Sequence, residues 1–210
     1  MIGIFCLLST LTGRSLRASN ATWSSNPASS DWNTAGNWIQ GVVPTGTATF
    51  ELSNLVAVTS SLPLTEIDKI IFSPGASSFN ISTLPGGDLI FNKFGVVNNS
   101  GVQQNFSTSS NGSYGIGFIG ASSAGVQTVF TIASGGLGFG VSANAEEATI
   151  INLGANILDG TYGITGFDDR TSAAMATITN QGGQTEGGNG GLTLFEGTSE
   201  AGTAVISGEG

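Results

Sequence analysis

The densest group of charged side chains in this sequence is the tripeptide Asp168-Asp169-Arg170. Carboxylate oxygens are ligands that Ca²⁺ accepts, and a basic side chain with a lowered pKa can remove a proton from a substrate. The cluster lies in a single loop, however, and two similar segments of the chain hold Gly140-Val141 and Glu196-Gly197 at the corresponding places. We therefore expect an exposed loop with a local ion pair, which could contact a ligand, and no catalytic residue.

Two further groups of residues could either contact a ligand or have a purely structural role. Glu146-Glu147 is a like-charge pair that could touch Ca²⁺ weakly, although an exposed turn explains it equally well, so we predict no metal site and no cofactor. Trp23, Trp32 and Trp38 lie close together among Asn, Asp and Ser, and aromatic faces stack well on sugar rings. We favour packing for these rings and keep contact with a ligand as the alternative.

Composition excludes several kinds of site. The chain of 210 residues has no histidine, which removes histidine acid–base catalysis and histidine-ligated metals. Its one cysteine, Cys6, cannot form a disulfide within the chain. The net charge is −9, and without residues 1–21 three basic residues face 14 acidic ones, a net of −11. So acidic a chain is not expected to bind nucleic acid or an anionic membrane.

The second half of the chain contains a repeat whose copies begin with phenylalanine. The copies start at Phe118, Phe139, Phe167 and Phe195. Six residues after each Phe lies an alanine, and eleven residues after it lies Val129, Ile150, Ile178 or Ile206. The last two steps are 28 residues and the first is 21. A period in this range with small residues at fixed places indicates a stacked solenoid.

Short alternating runs between turn signals support this architecture. Runs such as 47–52, 67–72 and 88–94 each fit a strand, whereas no stretch shows a helical period with caps. In stacked coils the last three Phe and the last three Ile of the repeat should form two inner columns, and regular stacking should begin at Phe139. Asn152 and Asn180 should hydrogen-bond along the coil axis in a ladder that Gly208 ends. Gly182-Gly183 and Gly187-Gly188 suit sharp corners.

The start of the chain has two distinct parts. Residues 2–12 are apolar and too short to span a bilayer, and small residues near Ala21 fit a signal-peptidase site, so residues 1–21 are predicted to be a signal peptide. Residues 22–46 hold all three tryptophans with Pro, Asn and Gly, and we predict that they form a cap on the solenoid end. Irregular coils should follow over 47–117 and repeat coils over 118–210.

The order of these segments resembles a known class of proteins. The N-terminal NPASSDWNTAGNW and VPTGTATF, the central FSPGASSFNI and NNSGVQQNF, and the Phe-led repeats resemble large secreted bacterial proteins of the autotransporter-like or adhesin-like passenger kind. The resemblance runs from about Thr22 to the last residue. It implies a right-handed, single-stranded parallel β-helix that is secreted or carried at the outer cell surface as a segment of a larger protein.

The sequence therefore predicts an all-β solenoid with a non-catalytic role. Its partners would be a surface glycan or a host or cell surface, with self-association along the solenoid and no integral membrane segment in the mature chain. Two alternatives stay open on the same fold. One is a polysaccharide lyase or hydrolase, which needs carboxylates and a base aligned over neighbouring coils. The other is a carbohydrate-binding module that uses the tryptophans.

Overall fold

The structure is a computed structural model that describes residues 18–108, 114–158 and 160–209. Apart from one 3₁₀ turn at Ala35–Asn37, the regular elements of this part are β-strands. Their bounds are β1 Ala21–Thr22, β2 Thr47–Phe50, β3 Ala57–Ser60, β4 Leu64–Phe72, β5 Asn80–Thr83, β6 Asp88–Asn98, β7 Gln104–Thr108, β8 Tyr114–Phe118, β9 Thr128–Ile132, β10 Gly135–Phe139, β11 Thr149–Asn152, β12 Gly163–Phe167, β13 Thr177–Asn180, β14 Leu192–Phe195 and β15 Val205–Gly208. No helix in these ranges has the length and apolar character needed to cross a membrane.

The strands form two sheets in which every pair of neighbouring strands is parallel. One sheet has the order β1-β2-β4-β6-β8-β10-β12-β14, and the other has the order β3-β5-β7-β9-β11-β13-β15. Beyond β2 the chain visits the two sheets alternately, so each coil adds one strand to each sheet. Parallel strands without crossover helices require this coil-on-coil arrangement. The predicted all-β parallel solenoid is confirmed, with about seven turns.

The two longest strands of the eight-stranded sheet, β4 and β6, pair over two segments that a register shift separates. The first half of β4 pairs with the first half of β6 (Ile67 opposite Phe91), and the register then shifts before Phe72 meets Asn98. β2 pairs only with the second half of β4, and β8 pairs only with the first half of β6. In later coils, the side formed by the second halves of β4 and β6 continues only as single parallel bridges. These bridges link Gly95, Ser123, Asn144, Ser172 and Glu200. Each of these coils therefore has two stranded sides and one side reduced to a bridge.

Five phenylalanines stack in one column through the core of the later coils. The rings of Phe91, Phe118, Phe139, Phe167 and Phe195 follow one another with centroids 4.5, 5.2, 4.7 and 5.0 Å apart and planes within 10° of parallel. The predicted column of the last three is confirmed. The expectation that regular stacking begins at Phe139 is wrong, because Phe91 and Phe118 already belong to the same column.

The isoleucine column is confirmed with one correction. Ile150, Ile178 and Ile206 are direct register neighbours in the seven-stranded sheet. The neighbour of Ile150 on the other side is Phe130, whereas Val129 is paired with Thr149. Gln127, with φ of 52°, is an additional residue in the preceding corner and shifts the strand by one position. Because side chains alternate along a strand, this shift buries Phe130 and turns Val129 outward.

The asparagine ladder forms as predicted and is joined by two threonines. Asn152 Nδ2 donates to Asn180 Oδ1 at 2.8 Å, and Gly208 occupies the next register position. Thr165 Oγ1 donates to Asn152 Oδ1 at 2.7 Å, and Thr193 Oγ1 donates to Asn180 Oδ1 at 2.9 Å. These bonds pair both polar atoms of the Asn152 amide and the Asn180 Oδ1 at the point where the coil leaves the seven-stranded sheet.

Residues 19–21 belong to the first coil. The Ser19 hydroxyl donates to the Val43 carbonyl at 2.9 Å, Asn20 Oδ1 accepts the Thr47 N–H at 2.8 Å, and Ala21 is a buried residue of β1. Cleavage after Ala21 would remove these contacts and half of β1. The packing therefore argues against that cleavage bond, while residues 1–17 of the predicted signal peptide lie outside the described residues.

A left-handed residue recurs at one corner of the later coils. The second residue after each repeat phenylalanine is Gly120, Val141, Asp169 or Gly197, and all four have φ between 57° and 70°. Glycine adopts this conformation without strain, whereas L-residues are disfavoured by roughly 1–2 kcal/mol. Val141 is the least suited of the four because its Cβ is branched.

Val141→Gly is therefore expected to raise the free energy of unfolding by about 0.5–1 kcal/mol, since relief of strain exceeds the added entropy of the unfolded chain. Val141 is 47% exposed, so little burial is lost. Urea unfolding of the wild type and the variant gives the value. The matched change Val129→Gly, at an outward strand position, should lower stability. A loss of stability in Val141→Gly would contradict the strain argument.

Candidate functional site

The segment Asp168-Asp169-Arg170 forms the corner that follows β12. The backbone N–H of Asp168 donates to the Phe139 carbonyl at 3.0 Å, and that of Arg170 donates to the Val141 carbonyl at 3.3 Å. From the other side, the Thr198 N–H donates to the Asp169 carbonyl at 2.9 Å. The corner is thus fixed between two neighbouring coils, and its three side chains lie on the outside of the solenoid.

A shallow groove of about 400 Å³ crosses this corner. It is lined by Val141, Asp169, Arg170 and Thr198. The expected local ion pair does not form, because the one salt bridge within the described residues joins Lys93 to Asp68 at 2.7 Å. Asp168 Oδ1 instead accepts the backbone N–H of Asp169 at 2.7 Å. The groove therefore presents an unpaired guanidinium beside an exposed carboxylate.

Catalysis at this corner would depend on side chains from more than one coil. A lyase would require carboxylates from adjacent coils beside a base. Of the two positions that neighbour Asp168 on adjacent coils, Glu196 supplies a carboxylate, whereas Gly140 supplies none. Glu146, in the corresponding segment of the preceding coil, accepts a hydrogen bond from the Ser123 hydroxyl, and Glu147 beside it is exposed. Within the ranges that the structure describes, no three acidic, Cys or His side chains lie close enough to hold a metal ion.

The three tryptophans pack against one another and against Phe50. Trp23, Trp32 and Trp38 are 1%, 0% and 2% exposed, and their rings lie 6.0, 5.7 and 5.7 Å from the Phe50 ring. Trp38 Nε1 donates to the Trp32 carbonyl at 2.7 Å. None of the rings offers a free face to a sugar, so the carbohydrate-binding alternative loses the aromatic surface on which it depended.

Asp31 organises the turn between the tryptophans. Its Oδ1 accepts the Asn33 N–H at 3.0 Å and its Oδ2 accepts the Thr34 hydroxyl at 2.6 Å. Burial alone would raise the pKa of Asp31, but hydrogen bonds from Ser61, Thr34 and Asn33 outweigh it and lower the pKa. This carboxylate therefore has a structural role in the tryptophan block.

Two long loops lie at another corner of the solenoid, between the seven-stranded and the eight-stranded sheet, where the sequence predicted only glycine corners. β9 and β10 are joined by Ala133 and Ser134 alone, whereas residues 153–162 join β11 to β12 and residues 181–191 join β13 to β14. A cleft of about 490 Å³ lies between these loops and the short turn. Its described lining is Ala133, Ser134, Leu153, Gly154, Asn156, Thr161, Gln181 and Gln184. The change of spacing from 21 to 28 residues is the sequence signal of these insertions.

Asp88, at the start of β6, has an incompletely satisfied carboxylate. Its Oδ1 is buried and has no hydrogen-bond partner among the described residues. Burial raises its pKa above the ordinary value of 3.8. The folded state consequently binds this proton more tightly than the unfolded state, so Asp88 lowers stability as the pH rises through the ordinary value towards the folded pKa.

Asp88→Asn is accordingly expected to raise the free energy of unfolding at pH 7, by up to about 1 kcal/mol for a partly exposed group. The advantage should shrink as the pH falls and should vanish below about 3.8, where both states of the wild type are protonated. Denaturant unfolding over a series of pH values measures the difference. An advantage that is independent of pH would show that desolvation of the charge is not its cause.

Comparison with known proteins gives no further assignment. The chain matched no protein-family model, no curated protein and no solved structure. What is established for this chain is therefore a parallel β-solenoid with two candidate surfaces at its corners, the groove at Arg170 and the cleft between the long loops.

Proposed function

We propose that this chain is a non-catalytic scaffold of the adhesin-like or passenger kind, exported by a bacterium and displayed at or released from the outer cell surface. The observation that carries the proposal is the division between core and corners. Inward positions form continuous apolar columns, while the outward corners carry loops that differ from coil to coil. Such a body extends and presents loops, and insertions on one side of a solenoid are often its contact surface.

Export is tested by fusing residues 1–210 to alkaline phosphatase in a Gram-negative host. We expect phosphatase activity, which requires export, and loss of that activity when residues 2–12 are deleted. Because Ser19–Ala21 pack into the first coil, N-terminal sequencing of the exported protein should begin at or before Ser19. Export would be contradicted if the fusion of residues 1–210 showed no phosphatase activity and remained in the cytoplasm.

The absence of catalysis is tested on purified protein with Ca²⁺ and polysaccharides that contain uronic acids. A lyase releases unsaturated products that absorb ultraviolet light, and we expect no signal above that of the Arg170→Ala variant. Product formation by the wild type alone would overturn the non-catalytic assignment. Adhesion of cells that display the chain to glycan-coated or host-cell surfaces, compared with cells that display nothing, tests the contact role.

A further inference from the structure

The cleft between the long loops is a second concave surface of the solenoid, apart from the groove at Arg170. Both loops are insertions relative to the coil that joins β9 to β10 with two residues. They lie on consecutive coils, so the register of the solenoid places them side by side. Loops that a rigid scaffold positions in this way are common places for binding residues.

Contacts between the loops hold the cleft in shape. The Ala155 N–H donates to the Asn189 carbonyl at 2.8 Å, and the Gln184 N–H donates to the Ala155 carbonyl at 2.8 Å. Gly154 lies so close to Gly182 that a Cβ would overlap the Gly182 carbonyl. Ala155 is buried between the two loops. A ligand would therefore meet a preformed surface and would not bear the full entropy of ordering two free loops.

The lining of the cleft is polar and uncharged over its described residues. The amides of Asn156, Gln181 and Gln184 and the hydroxyls of Ser134 and Thr161 provide both donors and acceptors. The amides of Asn156 and Gln181 make no hydrogen bond within the described part of the chain, and Gln184 Nε2 makes one bond, at 3.3 Å to the Gly182 carbonyl. In a chain of net charge −9, none of the described lining residues is charged, which favours a neutral ligand.

We propose that this cleft binds a neutral oligosaccharide. Sugar hydroxyls both donate and accept, which matches side-chain amides and hydroxyls, while Leu153 and Ala133 supply apolar contact for C–H groups. The volume lies within the range of small-ligand sites and is sufficient for a few sugar units. An anionic glycan would find no cation among the described lining residues. An extended peptide would need an apolar pocket or a free strand edge, and the described lining offers neither.

This inference deepens the proposed contact role, because it names the class of partner and the surface that meets it. The two proposals fail separately. Export and display are measured by cell fractionation and labelling, which do not depend on the cleft. Glycan binding is measured on purified protein, which does not depend on export.

The experiment is binding of the purified chain to an array of neutral and acidic oligosaccharides, followed by saturation-transfer NMR with the neutral ones that bind. Two variants alter the cleft. Gln181→Ala/Gln184→Ala removes two amides, and Asn156→Trp fills the space from an exposed position. The control Gln103→Ala/Asn105→Ala removes an amide pair that is hydrogen-bonded outside the cleft. Thermal unfolding of each variant establishes that it is folded.

We expect neutral oligosaccharides to bind the wild type, and binding to fall at least tenfold in both cleft variants while the control is unchanged. If the double variant unfolds, Asn156→Trp still tests the proposal. Asn156 is exposed, so its replacement is expected to leave the fold intact. Failure of every neutral glycan to bind would overturn the proposal. Binding restricted to acidic glycans or peptides, or binding that survives Asn156→Trp, would overturn it equally.

Discussion

Replacing Phe167 with alanine is expected to lower the free energy of unfolding by about 3–5 kcal/mol, the range for a large aromatic side chain removed from a core. Phe167 is 1% exposed and stacks on Phe139 at 4.7 Å and Phe195 at 5.0 Å. Its loss opens a cavity in a column where the neighbouring rings are fixed by strand register. Equilibrium unfolding in urea measures the effect.

The matched control is Phe94→Ala. Phe94 is 60% exposed, and the Lys69 ammonium lies 5.6 Å from its ring centroid. We expect this variant to lose about 1 kcal/mol or less, as is usual for a surface position. Equal losses in Phe94→Ala and Phe167→Ala would mean that the phenylalanine column is not the core of the solenoid.

The second large effect is expected at Gly95, where β6 approaches the corner of the next coil. Gly95 has φ of 77°, and a Cβ there would overlap the Ser123 carbonyl oxygen and lie 2.8 Å from its carbon. Left-handed strain and overpacking add, so Gly95→Ala should lower the free energy of unfolding by about 2–5 kcal/mol. The same urea titration applies to this variant.

Gly101 separates the two causes. It has φ of 79° but would place a Cβ in open space, so Gly101→Ala carries the left-handed strain alone, about 1–2 kcal/mol. The excess loss in Gly95→Ala reports the close approach of consecutive coils at the Gly95–Ser123 bridge. Equal losses in the two variants would show that the close approach of Gly95 to Ser123 does not affect stability.

The repeat in the sequence predicted the solenoid because one residue at each inner position suffices to mark a coil. Phe139, Phe167 and Phe195 are spaced 28 residues apart, and a parallel register must bring them together. The Asn152–Asn180 bond followed from the same reasoning. Periodicity therefore specifies which residues stack wherever the coils have equal length.

The sequence could not place residues where coil length changes. The additional residue Gln127 adopts a left-handed conformation that pattern analysis does not detect, and Phe130 therefore replaces Val129 in the column. The cleft was missed because its glutamines and glycines look like ordinary loop composition. Only the register of consecutive coils brings Gln181 beside Asn156.

The central claim, a stack of parallel coils in register, is tested most directly by electron–electron distance measurements along the seven-stranded sheet. In a Cys6→Ser background, one nitroxide is attached at Thr59 and the second at position 151, 179 or 207, which lie four, five and six strands away on the outward face. Strands in a sheet are about 4.8 Å apart, so we predict separations of about 19, 24 and 29 Å. Broad distances, or distances without this constant increment, would contradict the solenoid.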